Sequence, residues 1–360
     1  MKDYEGRKVD FDKMNNARKR KLYKSMWGEV DGFSIEKTGD SASQDNTDEK
    51  YKPASSYRLR GIGEPDKILI NQFQIGDENQ FLKKYKMAIA GDGQEESRIT
   101  TLHSSSLCAL LHFYNVTEDN PLTMAINGRE IKFTDSIFEF KSPVIDPRYP
   151  SNMDVVLIGK NEKSYENVVL FLESKFAEYY LSAGTTCRGI SKNYLDNEYT
   201  QALYKNNIDA LELKIEDSKK DPAKFDLVTK DPNEPFYIAG IKQMISHYCG
   251  IRNLLASEKY TEKDAYRNEK VQEKVESEIE KEKSVVMLGE IVFDSKIGEL
   301  KLSSGKTCLE IYREKYQELA KIIAAIENLP KNFEIVKDLL CYSTIRDKIE
   351  DKVKAFYYGK

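Results

Sequence analysis

Two short apolar runs, residues 153–158 and 168–176, constrain this chain more than any other feature. They read Met-Asp-Val-Val-Leu-Ile and Val-Val-Leu-Phe-Leu-Glu-Ser-Lys-Phe, separated by Gly159 and a polar turn. Nearly continuous apolar runs of this length are the mark of central strands covered on both faces. Yet three ionisable residues sit inside them: Asp154 in the first, Glu173 and Lys175 in the second. An ion placed there costs several kcal/mol unless it is paired or bound to a metal. Strand side chains alternate, so Glu173 and Lys175 point one way and Ser174 the other. If the two strands are neighbours, Asp154 joins the first pair. Two carboxylates hold a hard divalent cation, for which Mg²⁺ is suited, and a lysine beside them can orient or deprotonate a water. The competing reading is a structural salt bridge from Lys175 to Glu173 or Asp154. In a chain with 60 acidic and 56 basic residues the spacing alone is cheap. The burial of charge on both strands is what favours catalysis.

The surroundings predict further elements. Ser104-Ser105-Ser106 precedes Leu107, Leu110, Leu111 and Tyr114, which is helical spacing behind a hydroxyl N-cap. Residues 130–144 predict one or two strands, after a turn at Asn127-Gly128. Residues 34–57 read as a polar loop, and 217–235, with its Asp-Pro and Glu-Pro steps, as an irregular surface insertion. Ile238, Ile241, Met244, Ile245, Tyr248, Ile251 and Leu255 mark an amphipathic helix. Residues 257–283 are almost wholly charged and predict an exposed helix, with strands at 285–288 and 291–293 and helices beyond 308. The division expected is a basic helical segment and polar loop (1–60), a core (61–300) with the charged insertion, and a helical C-terminal segment (301–360).

The order helix, strands at 130–144, Asp154 strand, Glu173-Ser174-Lys175 strand, helix, strand resembles the αβββαβ core of the PD-(D/E)XK nuclease superfamily, an α/β (α+β) fold with a mixed central sheet. Glu173-Ser174-Lys175 matches the (D/E)-x-K element in full. Pro150 and Asp154 stand for the Pro-Asp element, with three residues between them. Within the superfamily the chain is similar to uncharacterised bacterial proteins grouped with restriction endonucleases. The resemblance covers roughly residues 100–295 and implies a metal-dependent DNA endonuclease of restriction or defence type. A structure-specific or exonucleolytic repair nuclease, or a non-catalytic DNA-binding protein on the same fold, remains open. It implies that Asp154, Glu173 and the Ser174 backbone carbonyl bind Mg²⁺, or Mn²⁺ in its place, while Lys175 acts on the attacking water. Members often add an upstream acid, for which Glu139 is the candidate and Glu130 the fallback. They also place a glutamine on the following helix, where Gln243 and His247 share a face. Double-strand cutters of this kind often work as homodimers.

Net charge is −4, so affinity for DNA has to come from local basic patches. Arg18-Lys19-Arg20-Lys21 is the densest, with Lys242 secondary; a solvated helix face explains the run equally well. The five cysteines, 108, 187, 249, 308 and 341, lack a Cys-x-x-Cys pair, which argues against disulfides or zinc and favours a reducing cytoplasm. No apolar run is long enough to cross a bilayer, and the amino terminus lacks the apolar stretch of a secretory signal. No phosphate-binding Gly-x-x-x-x-Gly-Lys-Ser/Thr loop occurs.

Overall fold

The computed structural model describes residues 32–38, 56–90, 99–102, 104–142, 144, 150–176, 183–184, 186–196, 213–230, 236–237, 241–256, 269–295, 298–299, 301, 305–326 and 330–359. The strands in chain order are β1 (Ile35–Thr38), β2 (Ser56–Leu59), β3 (Leu122–Ile126), β4 (Arg129–Ser142), β5 (Ser151–Asn161), β6 (Asn167–Lys175), β7 (Ala183–Gly184), β8 (Thr186–Ser191), β9 (Leu213–Asp217), β10 (Lys224–Thr229), β11 (Phe236–Tyr237), β12 (Val285–Val292), β13 (Phe333–Ile335) and β14 (Leu340–Cys341). The helices are α1 (Pro65–Phe73), α2 (Glu78–Ala88), α3 (Ser105–Phe113), α4 (Ile241–Leu255), α5 (Glu269–Ile279), α6 (Cys308–Ala324) and α7 (Asp351–Tyr358).

A mixed seven-stranded sheet runs in the order β13-β12-β6-β5-β4-β3, with β14 also on β12. Strands β3 to β6 form an antiparallel meander, and β12 lies parallel to β6. The β3–β4 hairpin closes through Asn127 and Gly128, at φ 50° and 77°. Two positive-φ residues make the turn whose twist matches the flanking strands, and Asn-Gly is the pair that tolerates it. Strands β5 and β6 are buried along almost their whole length, as their apolar runs require. Helix α3 begins where Ser104 accepts a hydrogen bond from the Leu107 amide at 3.0 Å, and all its residues from Leu107 onward are buried.

Opposite faces of β6 meet different partners. The Ser174 hydroxyl lies 2.7 Å from that of Tyr342 and 3.4 Å from the Ser105 carbonyl, so this face meets α3 and the turn at Tyr342. Glu173 and Lys175 meet α4 on the other face. Alternation along one strand thus sends Ser174 to one layer and Glu173 with Lys175 to the other.

Four expectations need correction. The ends of the 34–57 segment are not loop: β1 pairs antiparallel with β2. The 217–235 segment is not irregular throughout: Asp217 ends β9, and β10 pairs with both β8 and β9 and buries Phe225 and Leu227. Helix α5 is not wholly exposed. Its Val275 and Ile279, four positions apart, are buried, an apolar stripe hidden in the sequence by the charges around it. The C-terminal segment is not purely helical, since β13 and β14 extend the main sheet.

Both ends of the described chain join one core. Phe33 sits 5.1 Å from Phe73 and 4.9 Å from Phe356, centroid to centroid. His112 of α3 ties in α7: Nδ1 donates to the Cys108 carbonyl at 2.7 Å, and Nε2 lies 2.9 Å from the Tyr358 hydroxyl. Burial holds this ring neutral, its pKa lowered from 6.5 to about 3. The unfolded chain therefore binds a proton below pH 6.5 that the folded chain refuses, and stability falls as pH drops through that value. At pH 5 the ring should cost about 2 kcal/mol relative to pH 7.5, at 1.36 kcal/mol per pH unit. Urea unfolding at both pH values should show that acid loss in the wild type and a smaller one in His112→Phe. Equal losses would refute the assignment.

Candidate active site

The β5–β6 ladder runs in register to Val155↔Leu172, which sets Asp154 opposite Glu173 one step further. There the regular pairing stops. The Ser174 amide donates to Asp154 Oδ2 at 2.6 Å instead of to a β5 carbonyl. The amide and carbonyl of one strand residue face the same neighbour, so the Ser174 carbonyl also faces the gap beside Asp154. On the other side of β5 the register Phe138↔Val155 and Phe140↔Met153 brings Glu139 level with Asp154. Glu139 has φ 51°, a left-handed conformation for a non-glycine strand residue. Such a conformation costs of order 1–3 kcal/mol and persists where surrounding structure holds it, often at functional sites. Glu130, the fallback acid, lies nine residues away along the same strand, roughly 30 Å at strand rise, and is exposed.

Glu173 and Lys175 are 1% and 5% exposed, and they are paired. Lys175 Nζ donates to Glu173 Oε1 at 2.5 Å and to Gln243 Oε1 at 2.7 Å. His247, one helical turn on, brings Nε2 to 2.6 Å from Glu173 Oε2, and its Nδ1 lies 2.5 Å from the Ser151 hydroxyl. An ionised carboxylate only accepts, so Nε2 carries a hydrogen and donates to Glu173, while Nδ1 and the Ser151 hydroxyl share the second hydrogen bond. Burial alone would raise the Glu173 pKa, but Lys175 and His247 override it and draw it down to about 2. Asp154 goes the other way. Burial, then the charges of Glu173 and Glu139, push it well above the carboxylate range, against the smaller pull of Lys175 and the Ser174 amide. Two neighbouring carboxylates whose environments separate their proton affinities are what acid–base and metal chemistry both need.

Asp154, Glu173, Lys175 and Gln243 therefore come together, with Glu139 beside Asp154. Lys242 is half-buried on α4 and lines a cavity next to the site. Arg18, Lys19, Arg20 and Lys21 lie outside the described residues. The i, i+4 spacing of Gln243 and His247 signalled that both face one way; that His247 holds Glu173 was legible only in three dimensions. Sequence reasoning missed Ser151, and also Glu290, which lies level with Glu173 on β12, buried and accepting a hydrogen bond from the Tyr312 hydroxyl. A lone acid in an apolar strand was the available signal for Glu290.

Among the described residues no three histidine, cysteine or acidic side chains form a ready-made metal cage. No helix of the described residues is long and apolar enough to cross a membrane. Comparison with protein-family models, with curated proteins and with solved structures finds no match to this chain.

Proposed function

We propose that the chain is a Mg²⁺-dependent DNA endonuclease of restriction or defence type, with Asp154, Glu173 and Lys175 as its catalytic core. The observation that carries this reading is the level pairing of Asp154 and Glu173 across β5 and β6, with Lys175 bonded to Glu173. The helix–β4–β5–β6–helix–β12 order, with β12 parallel to β6, supports it.

The donor set fits Mg²⁺. This ion is usually held by one or two carboxylates, keeping waters that substrate phosphate replaces, so a full protein cage is not required. Asp154 spends Oδ2 on the Ser174 amide, and each Glu173 oxygen accepts a single hydrogen bond, leaving lone pairs on both groups. The Ser174 carbonyl faces the same gap. The raised proton affinity of Asp154 reflects negative charge that a cation would offset. Bound Mg²⁺, or Mn²⁺ in its place, would polarise a phosphoryl oxygen and acidify a water.

The protein's own groups do the positioning. His247 and Ser151 fix the Glu173 carboxylate, and Gln243 fixes Lys175 Nζ, so the ammonium is held to orient the attacking water and stabilise it as hydroxide. A planar guanidinium cannot occupy this compact site. Lys175→Arg should therefore lose cleavage by roughly 10²-fold or more, within the range for losing a positioned proton-handling group. Plasmid and linear DNA incubated with Mg²⁺ or Mn²⁺ provide the test. Near wild-type cutting by that variant would mean charge alone suffices. An inactive wild type on every DNA offered would remove the enzyme reading. A homodimer would supply the second site that a double-strand cut requires, and sedimentation with DNA tests that.

A further inference from the structure

A cavity of about 690 Å³ opens beside the site, between α4 and the sheet of β8, β10 and β9. Gln243, His247 and Ser151, which position the catalytic pair, form one wall; Asn152, Asn193, Tyr194, Ser246, Lys224 and Lys242 line the rest. The volume is that of a small-molecule pocket rather than of a broad duplex groove.

Two features of its lining point to a ligand. Asn152 Oδ1 is a buried carbonyl oxygen with no hydrogen-bond partner among the described residues. A buried acceptor left unpaired costs about 1–3 kcal/mol, and Asn152 stands two positions before Asp154 on β5. Tyr194, in the single helical turn Asn193–Asp196, is fixed by a hydrogen bond of 2.7 Å between its hydroxyl and that of Ser246 on α4. A ring anchored at its tip is held in the cavity lining at little entropic cost. Lys224 and Lys242 supply positive charge on either wall.

We propose that this cavity receives one unpaired nucleotide next to the scissile phosphate. Its base stacks on Tyr194, and Asn152 accepts a hydrogen bond from a base N–H. Lys224 and Lys242 hold the flanking phosphates. This rests on the nuclease reading and refines its substrate, from duplex DNA to a strand with at least one nucleotide out of the helix. Stacking on an aromatic ring tolerates any base, so the cavity selects an unpaired state more strongly than a sequence.

The test uses full-length protein in Ca²⁺ and DNA carrying 2-aminopurine, either within a fully paired duplex or at an unpaired position beside it. Wild type should bind the unpaired form at least tenfold more tightly and change its fluorescence. Tyr194→Phe, which keeps the ring and loses the hydroxyl bond, should bind within severalfold of wild type and keep the fluorescence change. Tyr194→Leu should bind that DNA ten- to a hundredfold more weakly and lose the fluorescence change. Asn152→Ala, which leaves the Tyr194–Ser246 contact alone, should weaken binding severalfold, and it serves if Tyr194→Leu does not fold. Equal binding of paired and unpaired DNA, or wild-type behaviour of both Tyr194→Leu and Asn152→Ala, would overturn the proposal. So would a Tyr194→Phe defect as large as that of Tyr194→Leu, which would make the residue a hydroxyl staple between α4 and the insertion. If those results came with Mg²⁺-dependent cleavage that Glu173→Gln abolishes, the nuclease reading would stand without the pocket. No DNA binding and no cleavage would end both.

Discussion

Glu173→Ala should abolish metal-dependent DNA cleavage, by on the order of 10³-fold or more, and should also destabilise the protein. The two losses have separate causes. Activity goes because a carboxylate opposite Asp154 is removed from the proposed metal position, and one well-placed electrostatic group accounts for roughly 10²–10³-fold. Loss of the Lys175 anchor adds to that. Stability goes because Lys175 is buried and Glu173 is its ionised partner. Removing one member of a buried pair typically costs about 3–5 kcal/mol, since the other charge is left uncompensated. Glu173→Gln separates the two effects. It keeps an oxygen for Lys175 and the shape of the side chain, so it should fold better than the alanine variant while remaining inactive. Plasmid cleavage in Mg²⁺ and Mn²⁺, beside thermal melting of both variants, is the measurement. Wild-type cleavage by a folded Glu173→Gln protein would place the chemistry elsewhere.

Asp154→Asn should behave in the opposite sense on stability: inactive, yet more stable than wild type at neutral pH. Its carboxyl has a raised proton affinity in the folded state because of burial, Glu173 and Glu139. Ionised Asp154 is therefore a cost of folding at neutral pH, and the amide avoids it while keeping an oxygen for the Ser174 amide. The sign of the pH dependence follows. A folded-state pKa above the unfolded value means stability is lost as pH rises towards and through the folded value. The advantage of the variant should accordingly shrink as pH falls towards the ordinary carboxylate range, where the wild-type group is neutral in both states. Mg²⁺ should raise the wild-type melting temperature and leave that of the variant nearly unchanged, because a ligand bound only by the folded state stabilises it by mass action. A less stable variant at neutral pH, or the same Mg²⁺ response in both proteins, would count against this account. A stabilising substitution that removes activity is the usual sign of strain kept for function.

The neighbouring groups explain why such strain persists. Glu139 holds a left-handed backbone beside Asp154, and Glu290 lies level with Glu173 on the next strand. Four acids on adjacent strands at one level of a buried sheet are held in place by the strands themselves. Apolar contacts along β4, β5, β6 and β12 stabilise the sheet enough to carry them, at about 25 cal/mol per Å² of buried apolar surface.

Much of this was legible in the chain alone, for local reasons. The apolar runs at 153–158 and 168–176 could only be buried strands, and alternation by itself placed Glu173 and Lys175 on one face and Ser174 on the other. The Ser104 cap, the Asn127-Gly128 turn and the stripe from Met244 to Leu255 each depend on contacts within a few residues, so sequence determined them. What the tertiary structure decided depends on register and on long-range approach. Nothing local says that Val155 pairs with Leu172, yet that register alone brings Asp154 level with Glu173. Nothing local says that α4 crosses so that His247 reaches Glu173 while Gln243 reaches Lys175. The β8–β10–β9 sheet and the strands after α6 were missed because short strands acquire their pairing energy only from distant partners. Their sequences carry turn residues and charges but little periodicity, and only the folded chain supplies the neighbour that completes the hydrogen bonds.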